Sequence, residues 1–188
     1  MMRLVRSLML TAVALMLAGP AVADTNAQFV FAGIEAPQAD NIDNFRFSLL
    51  FAKANRMSGF DLGFASITQD EEFNGFGPLF AIALVSGNSQ GCLCSFANFV
   101  NGESQGINAG FINVTQKMTE GANIGFLNIT QGFSSTDISA LAISQTSNVQ
   151  VGLVNVTNEI QGVQIGFLNF AKNGFFPVFP FFNYPKSD

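Results

Sequence analysis

The sequence predicts an all-β protein built from about eight repeats of 13–17 residues. One motif recurs at near-constant spacing, its apolar positions are rich in Val, Ile and Phe, and polar turn-forming residues separate the copies. A small residue near the middle of most copies argues against a helix. We expect each copy to bury its faces only against neighbouring copies.

The first 23 residues are typical of a secretory signal peptide. Arg3 and Arg6 form a basic start, an apolar run spans 8–17, and Ala21-Val22-Ala23 is a small-residue cleavage site. The apolar run is shorter than the roughly 20 residues of a membrane-spanning helix. We therefore expect export, with a single all-β domain over 24–188.

Residues 24–56 are expected to form lead-in strands, which would cap the repeats or begin a closed ring. Segment 28–32 alternates apolar and polar residues, 33–44 is an acidic connection, and 45–51 is a second apolar run. That connection carries three carboxylates that we interpret as solvated: Glu35, Asp40 and Asp43.

The repeats span 57–172 and follow the pattern Gly-φ-Gln/Asn-φ-Gly-Phe-φ-Asn-φ, in which φ is apolar. The central positions of successive copies recur at a near-constant interval, which is too regular for chance. The eight centres are Gly63, Phe80, Ser95, Gly110, Gly125, Ser139, Gly152 and Gly166.

Two positions in the pattern carry structural predictions. Gly inside a strand marks a bend or the close approach of another backbone, so we expect a kink at positions such as Gly166. The kink would let the apolar residues before and after it both reach apolar surroundings. The recurring Asn must form hydrogen bonds when buried, either in a ladder of stacked amides or to a turn backbone. It occurs at Asn98, Asn113, Asn128, Asn155 and Asn169.

Two architectures fit this period. In the first, the copies are strands of an antiparallel meander closed into a shallow barrel or a radial hairpin array. In the second, each copy is one coil of a β-solenoid, with equivalent residues stacked in ladders. Because solenoid coils usually keep a stricter period, the variable spacing favours the meander, and the solenoid is the alternative.

Cys92 and Cys94 are the only cysteines. At positions i and i+2 of a strand their Cα atoms would lie about 6.5–7 Å apart, at the limit for a disulfide. We interpret them as two small buried thiols, with a disulfide in an exported chain as the alternative.

Residues 173–188 form an aromatic C-terminal tail. Its three prolines within 175–185 exclude a helix or a central strand. We expect the tail to fold over the end of the repeat core and cover the last apolar edge. Membrane or lipid contact through its Phe residues is the alternative.

The composition removes most common active-site chemistry. The chain has no His, and therefore neither a Ser-His or Cys-His dyad nor an imidazole metal ligand. The only acid cluster, Asp70-Glu71-Glu72, is interpreted as a solvated turn, with a weak calcium site as the alternative. We name no catalytic, cofactor-binding or metal-ligating residue and expect no cofactor and no enzyme activity.

The chain is acidic, with a formal net charge of −5. Loss of residues 1–23 would remove two of the eight basic residues and none of the 13 acidic ones, leaving −7. This charge does not suit nucleic acid, so we expect no nucleic-acid partner. The sequence identifies no protein partner.

The series of copies resembles an uncharacterised family of bacterial surface-repeat proteins built from Gly-Val-Gln-x-Gly-Leu-x-Asn units. The copy at 162–169 carries the motif, and the lead-in at 45–50 and the tail at 177–183 extend the resemblance over about 45–183. Radially symmetric β-flower folds are similar in outline. The resemblance implies an exported envelope protein without an assigned activity. The copies at 79–84 and 138–143 lack both the central Gly and the Asn and depart from the family pattern.

Together these features predict a non-enzymatic envelope protein with a structural or interaction role, peripheral to the outer membrane or in the periplasm. An integral outer-membrane β-barrel is the first alternative, although one Tyr and no Trp make a poor aromatic girdle. A carrier of lipid or another apolar ligand, with Phe residues lining a barrel, is the second alternative.

Overall fold

The computed structural model describes residues 22–186, so the predicted signal peptide lies outside the described residues except for its last two. Strand accounts for 83% of the described residues, and no helix occurs among them, which confirms the all-β class. The strands are β1 Val22–Phe31, β2 Ile34–Ala36, β3 Ala39–Gly77, β4 Ala81–Val85, β5 Ser89–Cys94, β6 Ala97–Val100, β7 Ser104–Ala109, β8 Ile112–Thr115, β9 Thr119–Ala171 and β10 Val178–Asn183.

These strands stack as a parallel β-solenoid of about seven turns. In a typical coil the chain runs along β5, turns a corner at Ser95 and Phe96, runs along β6 and returns through a turn at 101–103. Each of the two strands pairs in parallel with its equivalent in the next coil, β5 with β7 and β6 with β8. The long strands β3 and β9 remain extended through several such coils.

The predicted antiparallel meander, closed into a shallow barrel or a radial hairpin array, is therefore wrong, and the solenoid alternative is confirmed. The variable period misled the prediction because corners and turns absorb the extra residues. Phe73 pairs with Ser89, and Ser89 pairs with Ser104, so two successive coils differ in length by a single residue. Equivalent residues still stack, because the strands between the corners keep their register.

The stacking explains the small central residue. A Cβ atom at Gly125 would collide with the carbonyl oxygen of Gly110 and lie 2.9 Å from Nδ2 of Asn113. Glycine is needed here because the backbone and the amide of the preceding coil occupy the space of a side chain. The predicted close approach of another backbone is thus present.

Both ends of the repeat array are covered by further strands. β1 pairs in parallel with β3, so the lead-in residues form an additional coil, and the short β2 pairs antiparallel with β1. β10 pairs antiparallel with the last part of β9, with Phe182 opposite Ile165. Pro180 lies in this terminal strand, where its missing N–H is tolerated.

Candidate functional site

The interior of the solenoid contains a ladder of stacked amides. Asn98 Nδ2 donates to Asn113 Oδ1 at 2.8 Å, and Asn113 Nδ2 donates to Asn128 Oδ1 at 2.9 Å. Asn155 Nδ2 donates in the same way to Asn169 Oδ1 at 2.8 Å. All five side chains are at most 1% exposed, so the predicted ladder is fully buried. Asn98 Oδ1 has no partner, because the preceding coil places Ala83 in this column.

A second buried polar column runs parallel to the first. Asn108 Nδ2 donates to Asn123 Oδ1 at 2.8 Å, and Asn123 Nδ2 donates to Asp137 Oδ1 at 2.9 Å. Farther along, Gln164 Nε2 donates to Gln150 Oε1 at 2.7 Å. The coil interior is therefore held together largely by amide and carboxyl groups, each of which must find a partner once it is removed from water.

Within residues 22–186, the cluster of buried apolar side chains lies in the N-terminal coils. Its members are Ile42, Ala54, Met57, Phe73, Ala83, Val85, Leu93 and Val100. Beyond this cluster the inward positions are mostly filled by Asn, Gln, Ser and Thr. The large apolar side chains of the repeats must then lie elsewhere.

Outside the N-terminal core, most large apolar side chains of the repeats point outward. Large apolar residues at the corner between the two strands of most coils form a row, which we call the corner ridge, and each exposes at least half of its surface. The coil at 137–143 has the small, half-buried Ala140 at this corner. The ridge consists of Phe64, Phe80, Phe96, Phe111, Phe126, Leu153 and Phe167. The ring of Phe111 stacks on that of Phe96 with centroids 5.7 Å apart, and on that of Phe126 at 4.9 Å.

Apolar residues flank the ridge on both sides. On the first face, Ile107 and Ile124 are exposed, and on the second face, Ile112 and Leu127 are half-buried. The expectation that a kink would bring both apolar sets into apolar surroundings is therefore wrong. The chain does turn at the central small residue, but both sets then face outward from a polar interior.

Charged residues lie at the edge opposite the ridge. The segments 91–99, 106–114, 121–129 and 162–170 contain no charged residue. Charges of these coils lie in the turns and their flanks, at Glu103, Lys117, Glu120, Glu159 and Lys172. We call this side of the solenoid the polar edge, and the exposed Asn101, Gln116 and Gln131 also belong to it. In cross-section each coil is amphipathic, with two apolar faces meeting at the ridge.

The C-terminal tail continues the apolar surface. Phe181 pairs with Gly166 and Phe182 with Ile165, and both rings are exposed. The tail thus lies over the end of the repeat core, as expected, but its rings remain on the outside.

One buried ionic cluster lies in the N-terminal coils. Arg46 Nη1 and Nη2 each donate to a carboxylate oxygen of Asp70 at 2.7 Å, and Arg46 Nε donates to Asp61 Oδ1 at 3.2 Å. Burial raises the pKa of Asp61, against the lowering effect of Arg46. Burial also lowers the pKa of Arg46, but the charges of Asp70 and Asp61 outweigh it and leave that pKa above its ordinary value.

The interpretation of residues 70–72 as one solvated turn is therefore wrong for Asp70, which is buried, whereas Glu71 and Glu72 are exposed. The acidic connection also differs from expectation at Glu35, which is half-buried in β2 and accepts a hydrogen bond from Gln28 at 3.4 Å. Burial raises the pKa of Glu35. Within residues 22–186, no group of three or more His, Cys, Asp or Glu side chains is placed to hold a metal ion.

Asp137 is a buried carboxyl in a column where other coils carry Asn or Gln. Burial raises its pKa above the ordinary value of 3.8, while the hydrogen bond from Asn123 and the polar groups of Ser134 and Gln150 act in the opposite direction. Its Oδ2 atom has no hydrogen-bond partner. Alignment of the coils could have revealed this position, because Asp137 stands two positions before the centre Ser139, as Asn123 does before Gly125.

Cys92 and Cys94 form a disulfide, with Cα atoms 5.7 Å apart. The interpretation as two buried thiols is wrong. Positions i and i+2 share one face of β5, and here that face is the outer one, where both residues are half-buried. The strand shortens slightly between them and brings the Cα atoms within disulfide range.

The candidate functional feature of the described residues is the apolar outer surface. The buried titratable side chains in the described part are Arg46, Asp61, Asp70 and Asp137, and all four form hydrogen bonds within the core. Residues 22–186 include no helix long and apolar enough to cross a membrane. Comparison of the chain with family models, curated proteins and solved structures found no match.

Proposed function

We propose that the protein is an exported, non-enzymatic component of a bacterial cell envelope with a structural or interaction role, peripheral to the outer membrane or in the periplasm. The observation that carries this proposal is the inverted polarity of the coils, with amides stacked inside and uncharged apolar faces outside. Soluble monomers rarely expose contiguous apolar patches larger than a few hundred Å². We therefore expect the corner ridge and its flanking faces to contact an apolar partner.

The non-enzymatic part of the proposal is supported by how the buried carboxyl groups are used. In a chain without His, carboxylates are the main remaining acid–base groups. Asp61 and Asp70 are paired with Arg46, and Asp137 accepts a hydrogen bond from the amide of Asn123. These groups form their contacts within the interior and are closed off from solvent.

The export part of the proposal is supported by the signal-like N-terminus and by the resemblance of the repeats to bacterial surface proteins. The test is to express the full-length sequence in a Gram-negative host, fractionate the cells and measure the intact mass. We expect cleavage after Ala23 and recovery in the envelope fractions. Leu15→Arg, which interrupts the apolar run, should remain unprocessed in the cytoplasm. An unprocessed wild-type chain in the cytoplasm would contradict the proposal.

A carrier of an apolar ligand is the second candidate. The Phe-lined interior of this alternative is wrong, because most Phe residues of the repeats lie outside and Phe73 alone among them is fully buried in the described part. A depression of about 550 Å³ beside the ridge nevertheless offers an apolar lining, which includes Leu79, Phe80 and Phe96. Solvent extraction of the purified protein followed by lipid mass spectrometry tests this candidate. One bound lipid per chain would favour it, and the absence of lipid would remove it.

A further inference from the structure

We infer that the corner ridge and its two flanking faces insert into the interfacial layer of a phospholipid membrane, while the polar edge remains in water. This inference deepens the proposed function, on which it rests, by naming the partner of the apolar surface. It also identifies the repeat coils, and not the C-terminal tail alone, as the contact region.

The shape of the apolar surface favours lipid over a protein partner. The two apolar faces meet at a convex corner, so a flat partner such as a second copy of this chain could cover one face only. Fluid acyl chains can surround Phe111 at the corner, Ile124 on one face and Leu127 on the other at the same time. Amphipathic elements that lie in the interface bury their apolar side in this way, to a depth of about 5–10 Å.

The hydrogen bonding of the coils is compatible with hydrocarbon. Backbone N–H and C=O groups within a membrane must be satisfied inside the protein. The parallel pairing of β5, β7 and β9, and of β6, β8 and β9, satisfies the backbone along both faces. Most interior polar side chains find partners in the amide columns, for example Asn113 with Asn128 at 2.9 Å, although a few buried oxygens such as Asn98 Oδ1 have none.

The distribution of charge fixes the orientation. No formal charge lies on the outer faces of the coils 106–114 and 121–129, so their insertion requires no desolvation of an ion. Glu120 and Lys117 lie at the opposite edge. Since strands stack about 4.8 Å apart, the ridge runs along the solenoid axis, and the axis then lies parallel to the membrane surface.

The net charge of the chain predicts which lipids suit this surface. A formal charge of −5 for the full sequence, or −7 after the predicted cleavage, gives no electrostatic attraction to anionic headgroups. We therefore expect binding to zwitterionic vesicles, little affected by salt, and no gain from anionic lipid. This behaviour separates apolar insertion from electrostatic adsorption.

The test is flotation with phosphatidylcholine vesicles, using protein purified from cells that express the full-length sequence. The ridge variant combines Phe96→Ser, Phe111→Ser and Phe126→Ser. The matched control combines Asn101→Ser, Gln116→Ser and Gln131→Ser, in the same coils but on the polar edge. We expect the ridge variant to bind at least about 100-fold more weakly than wild type, and the control to bind as wild type does. All six replaced side chains are exposed, so far-ultraviolet circular dichroism should show both variants folded.

A second ridge variant, Leu153→Ser with Phe167→Ser, keeps the inference testable if the first fails to fold, and it too should weaken binding. Wild-type protein that does not float, binding that requires anionic lipid, or a folded ridge variant that floats like the control would overturn the inference. A ridge-dependent dimer without vesicle binding would instead assign the surface to a second copy. If the protein is exported but does not bind vesicles, the membrane inference fails and the proposed function stands. If the protein binds vesicles but is never exported, the proposed function fails and the membrane inference stands.

Discussion

Replacement of one amide in the ladder should destabilise the protein more than removal of an apolar side chain next to it. Asn113 accepts a hydrogen bond from Asn98 at 2.8 Å and donates to Asn128 Oδ1 at 2.9 Å and to the carbonyl oxygen of Ile124 at 3.0 Å. At about 1 kcal/mol for each bond, Asn113→Ala removes roughly 3 kcal/mol. Stranded partners in the dry interior add about 1–2 kcal/mol more.

The matched control is Val114→Ala, which lies next to Asn113 but faces outward and is only half-buried. It removes two partly exposed methyl groups, for which we expect a loss of about 1 kcal/mol or less. The assay is equilibrium urea unfolding followed by far-ultraviolet circular dichroism, with both variants in the same mild detergent. A larger loss for Val114→Ala than for Asn113→Ala would refute the assignment of polar residues to the inside.

Two further predictions concern the buried charges. Because burial raises the pKa of Asp137, the folded state binds this proton more tightly than the unfolded chain does, so the free energy of unfolding falls as pH rises from about 3.8 through the raised pKa. Asp137→Asn should remove this decline in the free energy of unfolding and stabilise the protein at pH 7. The measurement is urea unfolding of wild type and variant at pH 5 and pH 8. A variant that is less stable than wild type at pH 8 would contradict the prediction. Arg46→Met leaves Asp61 and Asp70 buried without their cation and should cost about 3–5 kcal/mol at pH 7. Urea unfolding at pH 4 and pH 7 should show a smaller loss at pH 4, because burial raises the pKa of Asp61 and its carboxyl group can become neutral by taking up a proton. An equal loss at both pH values would argue against the ionic cluster.

The recurring Asn was sufficient to predict buried, hydrogen-bonded amides, because an amide between apolar neighbours must find partners. It left a ladder and a bond to a turn backbone as alternatives, and the ladder is the one that the stacked coils contain. The direction of the alternation was not predictable from the pattern alone. A two-residue period shows that neighbouring residues face opposite sides of a strand. It does not show which of the two sides is the interior. The usual preference for apolar interiors pointed Phe111 inward, whereas the inward positions of the coil are taken by Asn108 and Asn113.

The buried ionic cluster shows what a comparison of coils can and cannot reveal. Arg46 and Asp61 are opposite charges separated by one period of the repeat, so their pairing could have been read from aligned coils. Asp70 is out of phase with that period and stands beside Glu71 and Glu72 in sequence, which made it look solvated. Its burial follows from the route of the chain across the coil, which the local sequence does not encode.

Tryptophan fluorescence tests most directly whether the apolar exterior contacts lipid. Because the chain has no Trp, the fluorescence of a single introduced indole reports on one position. Phe111→Trp places it on the corner ridge, and Gln116→Trp places it on the polar edge of the same coil. Emission is recorded with phosphatidylcholine vesicles whose acyl chains carry bromine. We predict a blue shift and strong quenching for Phe111→Trp, and neither for Gln116→Trp. Equal quenching at the two positions, or quenching of Gln116→Trp alone, would contradict the account.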